Sequence, residues 1–152
     1  MEELGSQLGI DIKTHLSGGI ELAETDEFKL ILVNNKPMGF YYEEKPFLSL
    51  RGLLALESEL TRAGKYVTVD KGAVKFVSNG ADIMIPGIVE AEASIVEGDF
   101  VWIREETHHK PLAVGTALIP GAEIMLKKSS GEGGKAVRTI HYVGDKIWEV
   151  GG

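Results

Sequence analysis

His108 and His109 are adjacent, Glu105 and Glu106 stand just before them, and Asp99 lies a few positions upstream. This is the densest group of ligand-type side chains in the chain. A metal would need several of them on one face. Successive side chains alternate across a strand and diverge by about 100° on a helix, so the two imidazoles do not converge from either element. A hairpin loop running to Lys110 is the better reading, and no metal is expected. The rest of the chain lacks reactive patterns as well. It has no G-x-S-x-G nucleophile turn, no phosphate loop ending in Gly-Lys-Ser/Thr and no G-x-G-x-x-G. Its carboxylates form no recognisable acid/base pair. Neither an enzyme nor a cofactor is expected.

Residues 69–88, VDKGAVKFVSNGADIMIPGI, offer binding chemistry in place of reactive groups. Asp70 is placed to cap a short helix over residues 71–77, and Gly80 to close it in the left-handed conformation. A buried strand over 83–85 follows, ended by Pro86-Gly87. Ala73, Gly80 and Ala81 leave backbone uncovered. N–H groups at a helix start suit phosphate, and Lys71 and Lys75 add charge. Two readings stand at this point. The small residues expose backbone to a ligand, or they simply permit tight packing of helix on strand.

The elements around this stretch are short and punctuated by turns. Gly accounts for 19 of 152 residues, well above the usual roughly 7%, which favours a mostly β architecture. Residues 28–33 and 38–42 read as a hairpin around Asn34-Asn35-Lys36-Pro37. Ser49 then caps a helix whose apolar face would hold Leu50, Leu53, Leu54 and Leu60, with Gly64 as its stop. Beyond residue 65 come about six short strands and one short helix. Gly115 falls inside a strand, a mark of a bulge or close backbone approach. Gly144-Asp145 reads as the turn of a last hairpin joining residues 140–143 to 147–150. Strands of this length escape exposed edges by closing into a small barrel. The organisation is therefore an α+β unit over residues 1–65 and a mostly β unit over 66–152.

Net charge is −7, which argues against nonspecific coating of nucleic acid. Residues 127–138 run against that balance, holding Lys127, Lys128, Lys135 and Arg138 with Glu132 as the one acid. A solvated basic loop is expected there. There is no Cys, so disulfides, thiol catalysis and cysteine zinc sites are excluded. The acidic beginning lacks a signal-peptide layout, and apolar runs fall far short of the ~18 residues that cross a bilayer. A soluble, cytoplasmic protein without membrane contact is expected.

The stretch VDKGAVKFV, then Gly80-Ala81-Asp82-Ile83-Met84 and Pro86-Gly87-Ile88, resembles the PUA domain of RNA-binding proteins. Glu97-Gly98-Asp99, Ala113-Val114-Gly115 and Ile140-His141-Tyr142 with Gly144-Asp145 and Trp148 continue the likeness across residues 66–152. Within PUA proteins the chain is most similar to the malignant T-cell amplified sequence and ligatin family of translation factors. That likeness reaches upstream through residues 31–42, Lys45-Pro46-Phe47 and Leu50-Arg51, and fails over residues 1–25.

The resemblance implies an α+β N-terminal domain followed by a PUA pseudobarrel. It implies binding of a tRNA 3′ end, or of other structured tRNA or rRNA, in translation on the small ribosomal subunit. It nominates Lys71, Gly72, Ala73, Gly80, Ala81, Pro86 and Gly87 for the RNA face. Charge adds Lys75, Lys127, Lys128, Lys135 and Arg138. Two other roles fit the same sequence: an adaptor docking a translation-factor partner, and an accessory module of RNA modification.

Overall fold

The computed structural model describes residues 20–24, 28–56 and 64–150. Leu60, residues 1–19 and residue 25 lie outside that range. Four strands come first: β1 (Ile20–Glu24), β2 (Lys29–Val33), β3 (Lys36–Tyr42) and β4 (Lys45–Leu48), forming an antiparallel sheet in that order. Asn34 and Asn35 turn β2 into β3 with φ of 53° and 65°. Both are left-handed, the geometry a right-twisted two-residue hairpin requires. Glu43 and Glu44 repeat the device at 50° and 65° between β3 and β4. The expected hairpin is thus part of a four-stranded meander, whose β3–β4 turn lacks the Asn or Gly that would have announced it.

Helix α1 (Leu50–Ala55) begins at Ser49, whose hydroxyl accepts the Gly52 N–H at 3.1 Å. Leu50 and Leu53 are buried, but Leu54 is 40% exposed and does not share their face.

The second sheet has six strands: β5 (Tyr66–Val69), β6 (Ile83–Met84), β7 (Ile88–Ala91), β8 (Phe100–Glu105), β9 (Pro111–Ala117) and β10 (Lys135–Tyr142). Their spatial order is β6-β10-β9-β8-β5-β7. The two edge strands, β6 and β7, are joined in sequence by a single 3-10 turn, Ile85–Gly87. Three residues span only about 10 Å, so the edges of the sheet must approach each other. The sheet curls into a nearly closed pseudobarrel.

Three helices belong to this region: α2 (Lys71–Val77), α3 (Gly121–Ser129) and α4 (Lys146–Val150). Strand β7 has no counterpart in the sequence reading, and the single expected helix is one of three. Residues 147–150 form no strand, because the Asp145 carboxylate accepts the Trp148 N–H at 2.8 Å and starts a helical turn. Residues 127–130 are no loop either. Lys127 and Lys128 stand in the last turn of α3, while Lys135 and Arg138 lie on β10.

Strand β8 explains how the two sheets are held. Val101 and Ile103 point into the barrel core with Val67, Ile88 and Val137. Phe100 and Trp102, on the opposite face, join Phe40, Phe47, Leu50 and Leu53 in a second core. Alternation along one strand thus feeds two hydrophobic clusters. The first sheet and α1 lie against the outside of the barrel through shared apolar packing.

Candidate nucleic-acid interface

Helix α2 takes its position from both ends. Asp70, in extended backbone, accepts the Ala73 N–H on Oδ1 at 2.9 Å. At the far end, Gly80 adopts φ +83°. The Ala81 N–H reaches the Phe76 carbonyl and the Gly80 N–H reaches that of Val77, the paired bonds of a glycine closure. A side chain at Gly80 would also strike the Tyr142 ring, 2.6 Å from its ideal Cβ. The chain then runs back along the helix as a wall, residues 81–87.

Between helix and wall lies a groove of about 480 Å³ lined by Gly72, Ala73 and Phe76 on one side and Met84, Pro86 and Gly87 on the other. The small residues divide between the two readings. Gly87 serves packing, since an added Cβ would lie 3.0 Å from that of Ala73. Gly72 meets only the Asp70 carboxylate, at 3.4 Å, and leaves the helix start open. Phe76 is 57% exposed and Met84 44%. Two large apolar side chains therefore flank the groove without cover. The sequence reading did not single them out; an aromatic beside Lys75 on the exposed face of a seven-residue helix was the signal available.

The basic residues fall into two sets. Lys71 and Lys75 are exposed on α2, and Lys75 Nζ lies 5.3 Å from the centre of the Phe76 ring. Among the described residues no carboxylate pairs with either. The other set is engaged: Lys127 pairs with Glu123 at 3.7 Å, Lys135 pairs with Asp82 at 3.2 Å, and Lys128 Nζ donates to the Pro86 carbonyl at 2.7 Å. Lys128 and Lys135 thereby meet the groove wall, whereas Arg138 is exposed on β10 opposite Thr116 and does not line the groove.

His108 and His109 lie in the loop after β8, where the Glu105 carboxylate accepts both their backbone N–H groups. Burial alone would raise the Glu105 pKa, but those N–H groups and that of Thr107 hold it below the usual range. Among the described residues no three His, Asp or Glu side chains converge on a metal position, and no helix is long and apolar enough to cross a membrane.

Residues 65–143 match the family model of the PUA domain. The fold is similar to that of a hypothetical protein from Pyrococcus horikoshii, with a TM-score of 0.86 and 40% identity, covering 99% of this chain and 92% of that one. Translation machinery-associated protein 20 of Saccharomyces cerevisiae is 32% identical over 129 residues, 81% of this chain and 67% of that protein. Malignant T-cell-amplified sequence 1 of Rattus norvegicus is 30% identical over 128 residues, 82% of this chain and 66% of its own length.

Proposed function

The chain belongs to the PUA-domain family, in the group that includes translation machinery-associated protein 20 and malignant T-cell-amplified sequence 1, and from that membership we propose that it is a non-catalytic RNA-binding protein of translation. The observation that carries the reading is the groove beside α2. An apolar cleft flanked by Phe76 and Met84 suits an unstacked base, and Lys71 and Lys75 next to it suit the phosphates that base hangs from. Such a site takes single-stranded RNA or an RNA end, because bases inside a duplex do not offer their faces. An unpaired tRNA 3′ end on the small ribosomal subunit is the ligand of this kind we favour, which places the protein in the cytoplasm.

The RNA face we propose comprises Lys71, Gly72, Ala73, Lys75, Gly80, Ala81, Pro86 and Gly87, with Phe76 and Met84 added. Of the basic cluster, Lys128 and Lys135 meet the groove wall, while Lys127 and Arg138 stand apart from it. Residues 1–65 and 66–152 serve as two domains, with the described sheet and helix of the first packed on the outside of the second. A net charge of −7 means that attraction is local to this face.

The test is a titration of tRNA with and without its CCA end against wild type and a Lys71→Glu/Phe76→Ala variant. Wild type should bind intact tRNA more tightly than the truncated form, and the variant should lose that difference. With about three phosphates contacted, log affinity should fall with log salt at a slope of roughly −2 to −3. Equal, negligible binding in every combination would defeat the proposal.

A further inference from the structure

The groove wall cannot hold its own shape. Residues 81–87 consist of two irregular residues, a two-residue strand and a 3-10 turn of three residues, too short to be rigid through local bonds. Long-range bonds fix it instead. The Thr139 hydroxyl donates to the Ala81 carbonyl at 2.9 Å and the Thr139 N–H to Asp82 Oδ1 at 3.0 Å. The Ile85 N–H reaches the Gly134 carbonyl and the Asp70 N–H reaches that of Gly87, each at 2.9 Å. These bonds, like the β6–β10 ladder and the Lys135–Asp82 pair, come from β10, the residue just before it, or the cap of α2. One further brace comes from elsewhere: Lys128 reaches from α3 to the carbonyl of Pro86 at 2.7 Å, across 42 positions.

We infer that Lys128 is a positioning residue of the RNA groove, holding the Pro86 carbonyl so that the wall stands open opposite α2, and that it does not bind RNA phosphate itself. The inference rests on the groove being the RNA site. Its ammonium already donates a short, charge-assisted bond to a backbone acceptor. Its neighbour Lys127 makes only a long i,i+4 pair with Glu123, at 3.7 Å, and so serves as a charge-matched control on the same helix turn.

The experiment measures affinity for intact tRNA as a function of salt for wild type, Lys128→Met, Lys127→Met and Lys71→Met. It adds amide hydrogen exchange of the free proteins at Ile85 and at Ile88, whose N–H closes the 3-10 turn. Lys128→Met should weaken binding about tenfold, the scale of one charge-assisted hydrogen bond, with the wild-type salt slope and faster exchange at both amides. Lys71→Met should make the slope shallower by about one unit, and Lys127→Met should stay within about twofold of wild type. A shallower slope for Lys128→Met would mean a phosphate contact and overturn the inference. Unchanged affinity, or equal losses at Lys127 and Lys128, would overturn it too. Failure of wild type to bind tRNA at all would remove the functional reading on which it rests, a result distinct from either.

Discussion

The imidazole Nε2 of His141 accepts the backbone N–H of Leu50 at 3.1 Å, joining residues 91 positions apart. Leu50 is the first residue of α1 and His141 lies on β10, so this bond ties the helix packed outside the barrel to the barrel itself. The other ring nitrogen faces both oxygens of Asp145, at 2.9 and 2.8 Å. Because Nε2 accepts, the ring proton sits on Nδ1 and points at the carboxylate. The same carboxylate starts α4 through the Trp148 N–H. Nearby, the Arg51 guanidinium lies 4.0 Å from the centre of the Trp148 ring and donates through Nε to the Trp148 carbonyl. One buried histidine therefore connects α1, β10 and α4.

Replacing His141 with Phe keeps the ring volume and removes both hydrogen bonds. The Leu50 N–H and the Asp145 carboxylate lose a partner in a site where His141 is fully buried. The expected loss is about 3 kcal/mol of unfolding free energy, read from urea denaturation. A loss below about 0.5 kcal/mol would show that the clamp contributes little.

Asp145 should also register in the acid limb of stability. Burial by itself raises its pKa, but the His141 hydrogen bond, with the Trp148 and Tyr142 N–H groups, outweighs it and holds the carboxyl below its ordinary value of 3.8. A carboxylate depressed in the folded state stabilises fully above its unfolded pKa, and that share disappears as pH falls through the lower folded value. Urea midpoints between pH 3 and 7 should therefore drop less steeply below about pH 4 for Asp145→Asn than for wild type. Parallel curves would contradict the assignment.

Gly115 should tolerate no side chain. An added Cβ would lie 2.2 Å from the Arg138 carbonyl oxygen of the neighbouring strand, and its position is fixed by its own backbone while the atom it strikes is backbone. No rotamer change relieves it. Gly115→Ala is expected to cost about 3 kcal/mol, measured by chemical denaturation, with strand separation visible in the β9–β10 amides. Wild-type stability would mean that the two strands approach less closely.

Phe76 is the position where binding and stability should separate. At 57% exposure, its truncation to Ala should change stability by no more than about 0.5 kcal/mol. If a base stacks on the ring, RNA affinity should fall by about 2 kcal/mol. Fluorescence anisotropy with a labelled RNA 3′ end, beside a thermal melt, measures both. Intact affinity would move the base-binding surface away from the groove.

The sequence by itself determined what depends on neighbours along the chain. Asp70 capping α2, Gly80 closing it, and Asn34-Asn35 turning a hairpin all follow from backbone conformation within a few residues. The PUA pattern was legible for the same reason, since its motif lies at those caps, turns and strand starts. Where a segment was short and its local signal divided, tertiary contacts decided. Residues 147–150 carry β-prone side chains, yet the Asp145 carboxylate made them helical. Leu54 fits a helical apolar stripe, yet it faces solvent while Leu50 and Leu53 reach the core shared with Phe100 and Trp102.

The candidate site divides in the same way. Its helix and glycines could be read from the chain, but the groove could not. A groove is the space between α2 and a wall, and long-range hydrogen bonds set its width. Charge count placed Lys128, Lys135 and Arg138 in one cluster, and only the fold separated them. An ammonium takes the nearest good acceptor in space, and for Lys128 that is the Pro86 carbonyl, far away in sequence.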